Sequence, residues 1–117
     1  MSITYKNSKN LLHRSDAVIH HGVAYLAGVI ASDSSADIIG QTRQVLAQLD
    51  ERLAEAGSSR EKILSATIWM VDVNRDIDAF NSVWNEWCVP GRLPVRSCVQ
   101  SIPLRGSLLE VALIAAV

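Results

Sequence analysis

The sequence predicts an α+β fold, a single mixed sheet with two helices packed on one face, in one domain spanning residues 1–117. Three observations predict it. Runs rich in β-branched and aromatic residues recur along the chain, and two segments carry apolar residues at helical spacing. The most apolar extended runs, Ile63 to Val73 and Leu108 to Val117, read as strands apolar on both sides. With 117 residues, 49% hydrophobic and 20% charged, the chain can bury a core without disulfides or a structural metal.

Each element follows in order. Ile3 to Lys6 gives a short leading strand, and Asn7 to Asp16 is polar and irregular. Ala17 to His21 and Val23 to Ala27 form a hairpin-like pair around Gly22 that ends at Gly28. After the turn-rich Ala31-Ser32-Asp33-Ser34-Ser35, the residues Ile38, Thr42, Val45, Leu46, Leu49 and Leu53 recur at helical spacing. Ser34 to Asp37 supplies capping side chains for that helix, and Gly57 stops it. Ile63 to Val73 is the next strand. A second helix begins at Asp76 or Asp78 and carries Ile77, Phe80, Trp84 and Trp87 on one face. Pro90, Gly91 and Pro94 mark a loop, Val95 to Ile102 a strand, Pro103 to Ser107 a turn, and Leu108 to Ala116 the last strand.

Two helices cover one side of such a sheet and leave the other bare. A large apolar surface marks an association site, so a closed homo-oligomer with inward-facing sheets is expected. The formal net charge of -1 gives no basic excess to attract phosphate backbones or acidic membranes, and neither is an expected partner. No apolar run approaches the roughly 20 residues that cross a bilayer, and the first ten residues lack a signal-peptide core. The expected location is cytoplasmic, with Cys88 and Cys98 as free thiols.

The candidate chemistry lies near the C-terminus. Side chains alternate along strands, so Arg96, Cys98 and Gln100 share one face of their strand, and Glu110, Ala112, Ile114 and Ala116 share one face of theirs. A guanidinium fork suits the two-point grip of a small carboxylate, and a carboxylate within an apolar strand needs a partner or water. Glu110 is thus either the salt-bridge partner of Arg96 or a group that orders water and moves a proton. Cys98 reads as a small core residue, because nothing aims His20 or His21 at it as an activating base. His13, His20 and His21 lack metal-site spacing, and no glycine-rich phosphate loop occurs, so neither a metal nor a cofactor is indicated. Trp69, Trp84 and Trp87 read as core or interface anchors. Gly28 after its strand suits close backbone approach to a ligand, or a simple turn.

Several segments in one order carry a resemblance. They are Val23-Ala24-Tyr25-Leu26-Ala27-Gly28-Val29-Ile30, Gln41-Thr42-Arg43-Gln44-Val45-Leu46, Ala56-Gly57-Ser58, Ser65-Ala66-Thr67-Ile68-Trp69-Met70-Val71-Asp72, Phe80-Asn81-Ser82-Val83-Trp84 and Pro94-Val95-Arg96-Ser97-Cys98-Val99. With Pro103 and Glu110-Val111-Ala112 they resemble the Rid proteins, the reactive intermediate deaminases or YjgF-like group, over nearly the whole chain. The resemblance implies a chorismate-mutase-like subunit, a homotrimer, and clefts between subunits that bind small carboxylates. It implies hydrolysis of enamines and 2-imino acids, such as 2-aminoacrylate, to 2-oxo acids and ammonia. Arg96 then matches the arginine that holds the substrate carboxylate, Cys98 and Trp84 lie near the substrate, Glu110 is linked to the water, and Gly28 and Ile30 supply the contacting loop. Two positions depart from the family pattern. His13-Arg14-Ser15-Asp16-Ala17 replaces a Gly-Pro-Tyr segment, and Val29 replaces a glutamine. The alternatives are a non-enzymatic 2-oxo acid binder and an endoribonuclease or translation inhibitor; the latter lacks the expected basic stripe.

Overall fold

Leu109, Val111, Leu113 and Ala115 alternate along the last strand, and all four are buried. A computed structural model describes residues 2–117, so Met1 of the expected domain lies outside the described residues. The elements are β1 (Thr4–Lys6), β2 (Ala17–His20), β3 (Val23–Leu26), β4 (Val29–Ile30), α1 (Ile38–Glu55), β5 (Ile63–Met70), α2 (Val73–Trp87), β6 (Val95–Gln100) and β7 (Leu109–Ala116). They form one mixed sheet in the order β1-β2-β3-β7-β5-β6, with β4 also lying against β7. Only the β5–β6 pair is parallel, as a strand–helix–strand crossover through α2 requires.

The expected α+β layer with both helices on one face is what the sheet carries. In α1, the Asp37 carboxylate accepts from the Gly40 amide at 2.8 Å, and Val45, Leu46, Leu49 and Leu53 turn inward. At its end Gly57 has φ 80, while the Ser58 amide reaches Leu53 O at 2.8 Å and Gly57 reaches Ala54 O at 3.0 Å. These two bonds stop the helix in the left-handed turn that glycine favours.

The second helix starts earlier than the sequence suggested. It begins at Val73, because the Asp72 side chain accepts from the Arg75 amide at 3.1 Å and so caps the helix ahead of Asp76 and Asp78. The preceding strand accordingly ends at Met70, not Val73. Val71 and Val73 have strand-forming side chains, but the cap decides the local conformation. Gly28 likewise lies within a broken strand line and does not end it, since β3 stops at Leu26 and β4 resumes at Val29 along the same neighbour, β7. The remaining ends shift by one or two residues: β2 closes at His20, as His21 has φ 51, and β6 closes at Gln100 ahead of Pro103.

Ala24, Leu26, Ala66, Ile68 and Met70 join the four β7 residues in the core under the helices. The opposite face is more mixed than expected. Ser65 and Thr67 lie there beside Trp69, with Ala112 and Ile114, and Tyr25 remains 51% exposed. Among the described residues no helix is long and apolar enough to cross a membrane.

Candidate functional site

Arg96 sits on β6, an edge strand whose partner in the sheet is β5. The register Ala66↔Arg96, Ile68↔Cys98 and Met70↔Gln100 places all three β6 side chains on the helix face, since paired residues share a face. Phe80 and Trp84, one turn apart on α2, stack with ring centroids 5.7 Å apart. The Arg96 guanidinium lies over both rings, 5.7 Å from the Phe80 centroid and 5.9 Å from that of Trp84. Its Nη1 donates to Asn81 Oδ1 at 2.8 Å. The cation is therefore oriented by cation–π attraction and one amide, while its other donors have no protein partner among the described residues. It forms no ion pair there, so the reading of Glu110 as its salt-bridge partner is set aside.

Cys98 is half-buried one residue pair along from Arg96. Burial pushes its thiol pKa up, and the neighbouring Arg96 only partly opposes this. A protonated thiol is a poor nucleophile. His20 and His21 contact each other, ring centroids 3.9 Å apart, at the far side of the sheet with β3, β7 and β5 between them and β6. Trp84 is buried and offers its ring to the guanidinium rather than to open space.

Glu110 belongs to the other face. It stands opposite Trp69 on β5 and Ile30 on β4. The row through Arg96 and Ala66 meets β7 at Leu113, three residues from Glu110, and an odd offset along a strand puts the two side chains on opposite sides of the sheet. One subunit does not bring Arg96 and Glu110 together. Around Glu110 lies a cavity of about 390 Å³ lined by His13, Arg14, Gly28, Ile30, Leu104 and Arg105. Gly28 is essential to its shape, because a β-carbon there would overlap Glu110 Oε2. Arg14 is tethered by the carboxylate of Asp16, a buried residue that also pairs with Arg52 at 3.1 Å.

The sequence reading put Arg96, Cys98, Trp84, Gly28, Ile30 and Glu110 in one site, whereas a single subunit divides them, with Arg96, Cys98 and Trp84 on the helix face and Gly28, Ile30 and Glu110 at the cavity of the other. Asn81, Arg14 and Arg105 were not among its candidates. Asn81 had a readable signal in its place between Phe80 and Trp84 on the helix that precedes β6. Arg105 had none, since its direction depends on a left-handed turn, φ 58. A second groove between the helices is occupied by its own bracing: Arg60 grips Asp50 through two bonds of 2.8 Å and lies over Trp87. Among the described residues no three His, Cys, Asp or Glu side chains converge as metal ligands would.

Comparison with known proteins extends this geometry. The family model described as endoribonuclease L-PSP matches residues 8–117. The RutC family protein YoaB of Escherichia coli is 40% identical over 104 residues, covering 88% of this chain and 90% of that protein. A YjgF family member from Neisseria meningitidis superposes with a TM-score of 0.91 at 33% identity, covering 99% of this chain and 95% of that one. The Rid family protein YyfA from Yersinia pestis gives 0.90 at 28% identity, covering 99% and 100%.

Proposed function

The chain belongs to the Rid (YjgF-like) family, and from that membership we propose that it hydrolyses 2-imino acids and their enamine tautomers to 2-oxo acids and ammonia. The observation that carries this reading is Arg96, an exposed guanidinium fixed on an aromatic face with donors left over for a carboxylate. Its two-point grip would hold the substrate with the imine carbon presented to water.

The reaction adds water across the C=N bond. The water oxygen bonds to carbon, the nitrogen gains a proton, and the resulting carbinolamine expels ammonia as the C=O bond forms. Glu110 is suited to take the proton from the attacking water and to return it to the departing nitrogen. Imines hydrolyse unaided, so orientation and proton handling suffice, and the scheme needs no metal, cofactor or covalent intermediate.

Arg96 and Glu110 act on one substrate only if different copies supply them. Two unlike patches that must meet make a head-to-tail contact, and such a contact forms a ring when its rotation closes. A homotrimer with its open sheet faces inward satisfies this, and the exposed Tyr25, Val95 and Val99 on that face support it. The test generates an imino acid in place with an amino acid oxidase and follows its loss against a trapping amine. Accelerated loss that disappears in Arg96→Ala supports the reaction; ligand-dependent melting without turnover would make the protein a 2-oxo acid binder instead.

A further inference from the structure

We propose that the Glu110 cavity carries a second anion subsite, formed by Arg105 with Arg14, that takes a carboxylate on the substrate's side chain. The inference rests on the imine-hydrolysis reading and gives it a substrate class: 2-imino acids derived from dicarboxylic amino acids.

The charge balance around the cavity comes first. Two cations, Arg14 and Arg105, line the cavity against one anion, Glu110, with His13 also on the lining, while Asp16 and Arg52 pair outside the lining. Asp16 is shared between Arg14 and Arg52, so Arg14 keeps donors beyond the one it places on that carboxylate. Arg105 has no ion pair and no side-chain hydrogen bond among the described residues, although it lines the same cavity as Glu110. An arginine that is exposed on a cavity wall with all its donors free is suited to a charge-assisted bond with a bound carboxylate.

The backbone supports the same conclusion. Arg105 has φ 58 and is followed by Gly106 at φ 72. A left-handed conformation at a residue with a β-carbon costs about 1 kcal/mol, so its neighbours must hold it. They do so from both ends. The Ser101 amide bonds to Met70 O at 3.0 Å, the Leu108 amide bonds to Oε1 of the buried Gln41 at 2.8 Å, and Ser107 Oγ accepts from the Ala31 amide at 3.1 Å. The turn is braced on the core and presents an arginine to the cavity where a glycine would satisfy the backbone better. Arg96 for the first carboxylate and Arg105 with Arg14 for the second would then grip the two ends of one substrate, with Glu110 between them.

The test compares 2-iminopropanoate, made from alanine, with 2-iminosuccinate or 2-iminoglutarate, made from aspartate or glutamate by the matching oxidases. The wild-type chain should favour the dicarboxylic imine by roughly tenfold or more in kcat/KM, as a charge-assisted contact of this kind gives. Arg105→Gly removes the guanidinium while relaxing the turn, so it should keep or raise Tm and cut that ratio roughly tenfold; Arg14→Ala should cut it less. A wild-type ratio near one, or a ratio that Arg105→Gly leaves in place, overturns the subsite while imine hydrolysis stands. If no imine turns over, the proposed reaction falls and calorimetry decides the subsite alone. Binding of 2-oxoglutarate roughly tenfold tighter than 2-oxobutanoate, lost in Arg105→Gly, supports it, and equal binding overturns it.

Discussion

Glu110 and Gly28 compete for one volume: a β-carbon at position 28 would overlap Oε2 of the carboxylate and lie 3.0 Å from its Cδ. The backbone of Gly28 is not in the left-handed region, so alanine is permitted there by conformation and excluded only by the carboxylate. The obstacle is also the far end of a flexible side chain. Gly28→Ala should therefore swing Glu110 aside at little structural cost. The proposed imine hydrolysis should fall roughly tenfold or more through misplacement of the carboxylate assigned to proton transfer. Stability should stay within about 1 kcal/mol, because the methyl group also reduces the freedom of the unfolded chain. Thermal melting beside the oxidase-coupled assay checks both. A variant that melts early but turns over normally would show that the glycine serves the fold alone.

The second relationship is between Arg96 and Asn81. Arg96→Ala should reduce kcat/KM roughly a hundredfold, the scale of a lost charge-assisted pair, with a small change in Tm because the residue is exposed. Lysine should not rescue it, since an ammonium cannot make two parallel bonds to a carboxylate. Asn81 acts through the guanidinium it orients. Asn81→Ala should raise KM several-fold with a smaller effect on kcat, as expected for loosened carboxylate binding. A fall in kcat at constant KM would place Asn81 in the chemistry instead.

Alternation made each strand legible by itself. It grouped Arg96 with Cys98 and Gln100, and Glu110 with Ala112, Ile114 and Ala116, and the pairing agrees with both groups. What a linear reading lacks is the parity between strands. That parity depends on the register through Ala66, which no local pattern encodes, and on the bulge between Ile63 and Ser65. The start of α2 was hidden for a different reason, because Val71 and Val73 advertise strand while Asp72 caps a helix. The residues that resembled a known family set Gly28, Ile30 and Glu110 in one site with Arg96, Cys98 and Trp84; in the single subunit the cavity brings together only the first three. Arg105 escaped because its direction is set by a turn conformation that arginine rarely adopts.

The two cysteines lead to a pH prediction. Burial pushes the thiols of Cys88 and Cys98 above their ordinary value of 9.0, against the lowering effect of Arg96 on both. A raised pKa in the folded state means that the unfolded chain releases these protons first. The associated stability is intact below the ordinary thiol value and is lost as the pH rises through the shifted ones. Tm should thus decline above pH 9.0, and the Cys88→Ala, Cys98→Ala double variant should decline less steeply than the wild type. Near neutral pH the thiols stay protonated, so Cys98→Ser should keep most of the imine-hydrolysing activity. A loss as deep as that of Arg96→Ala would restore a chemical role to the sulfur.

With Arg96 and Glu110 on opposite faces, the proposed reaction requires assembly, and the open sheet face is where the proposed assembly can be broken. Ile114 lies on that face directly opposite Tyr25, whose ring is half exposed in the single subunit. Ile114→Asp would place an unpaired carboxylate in a contact between apolar surfaces, at a cost of several kcal/mol for each copy. The helix-side core, built from Leu109, Val111, Leu113 and Ala115, does not include it. Sedimentation should therefore show a wild-type trimer and a variant monomer that keeps its secondary structure by circular dichroism. The monomer should lose imine hydrolysis as completely as Arg96→Ala does, although its own Arg96 and Glu110 are intact. Mixing the Arg96→Ala and Glu110→Ala chains should restore part of the activity, because in mixed trimers some interfaces pair an intact Arg96 with an intact Glu110. An active monomer, or a mixture that gains nothing, would mean that each subunit uses its two charges separately.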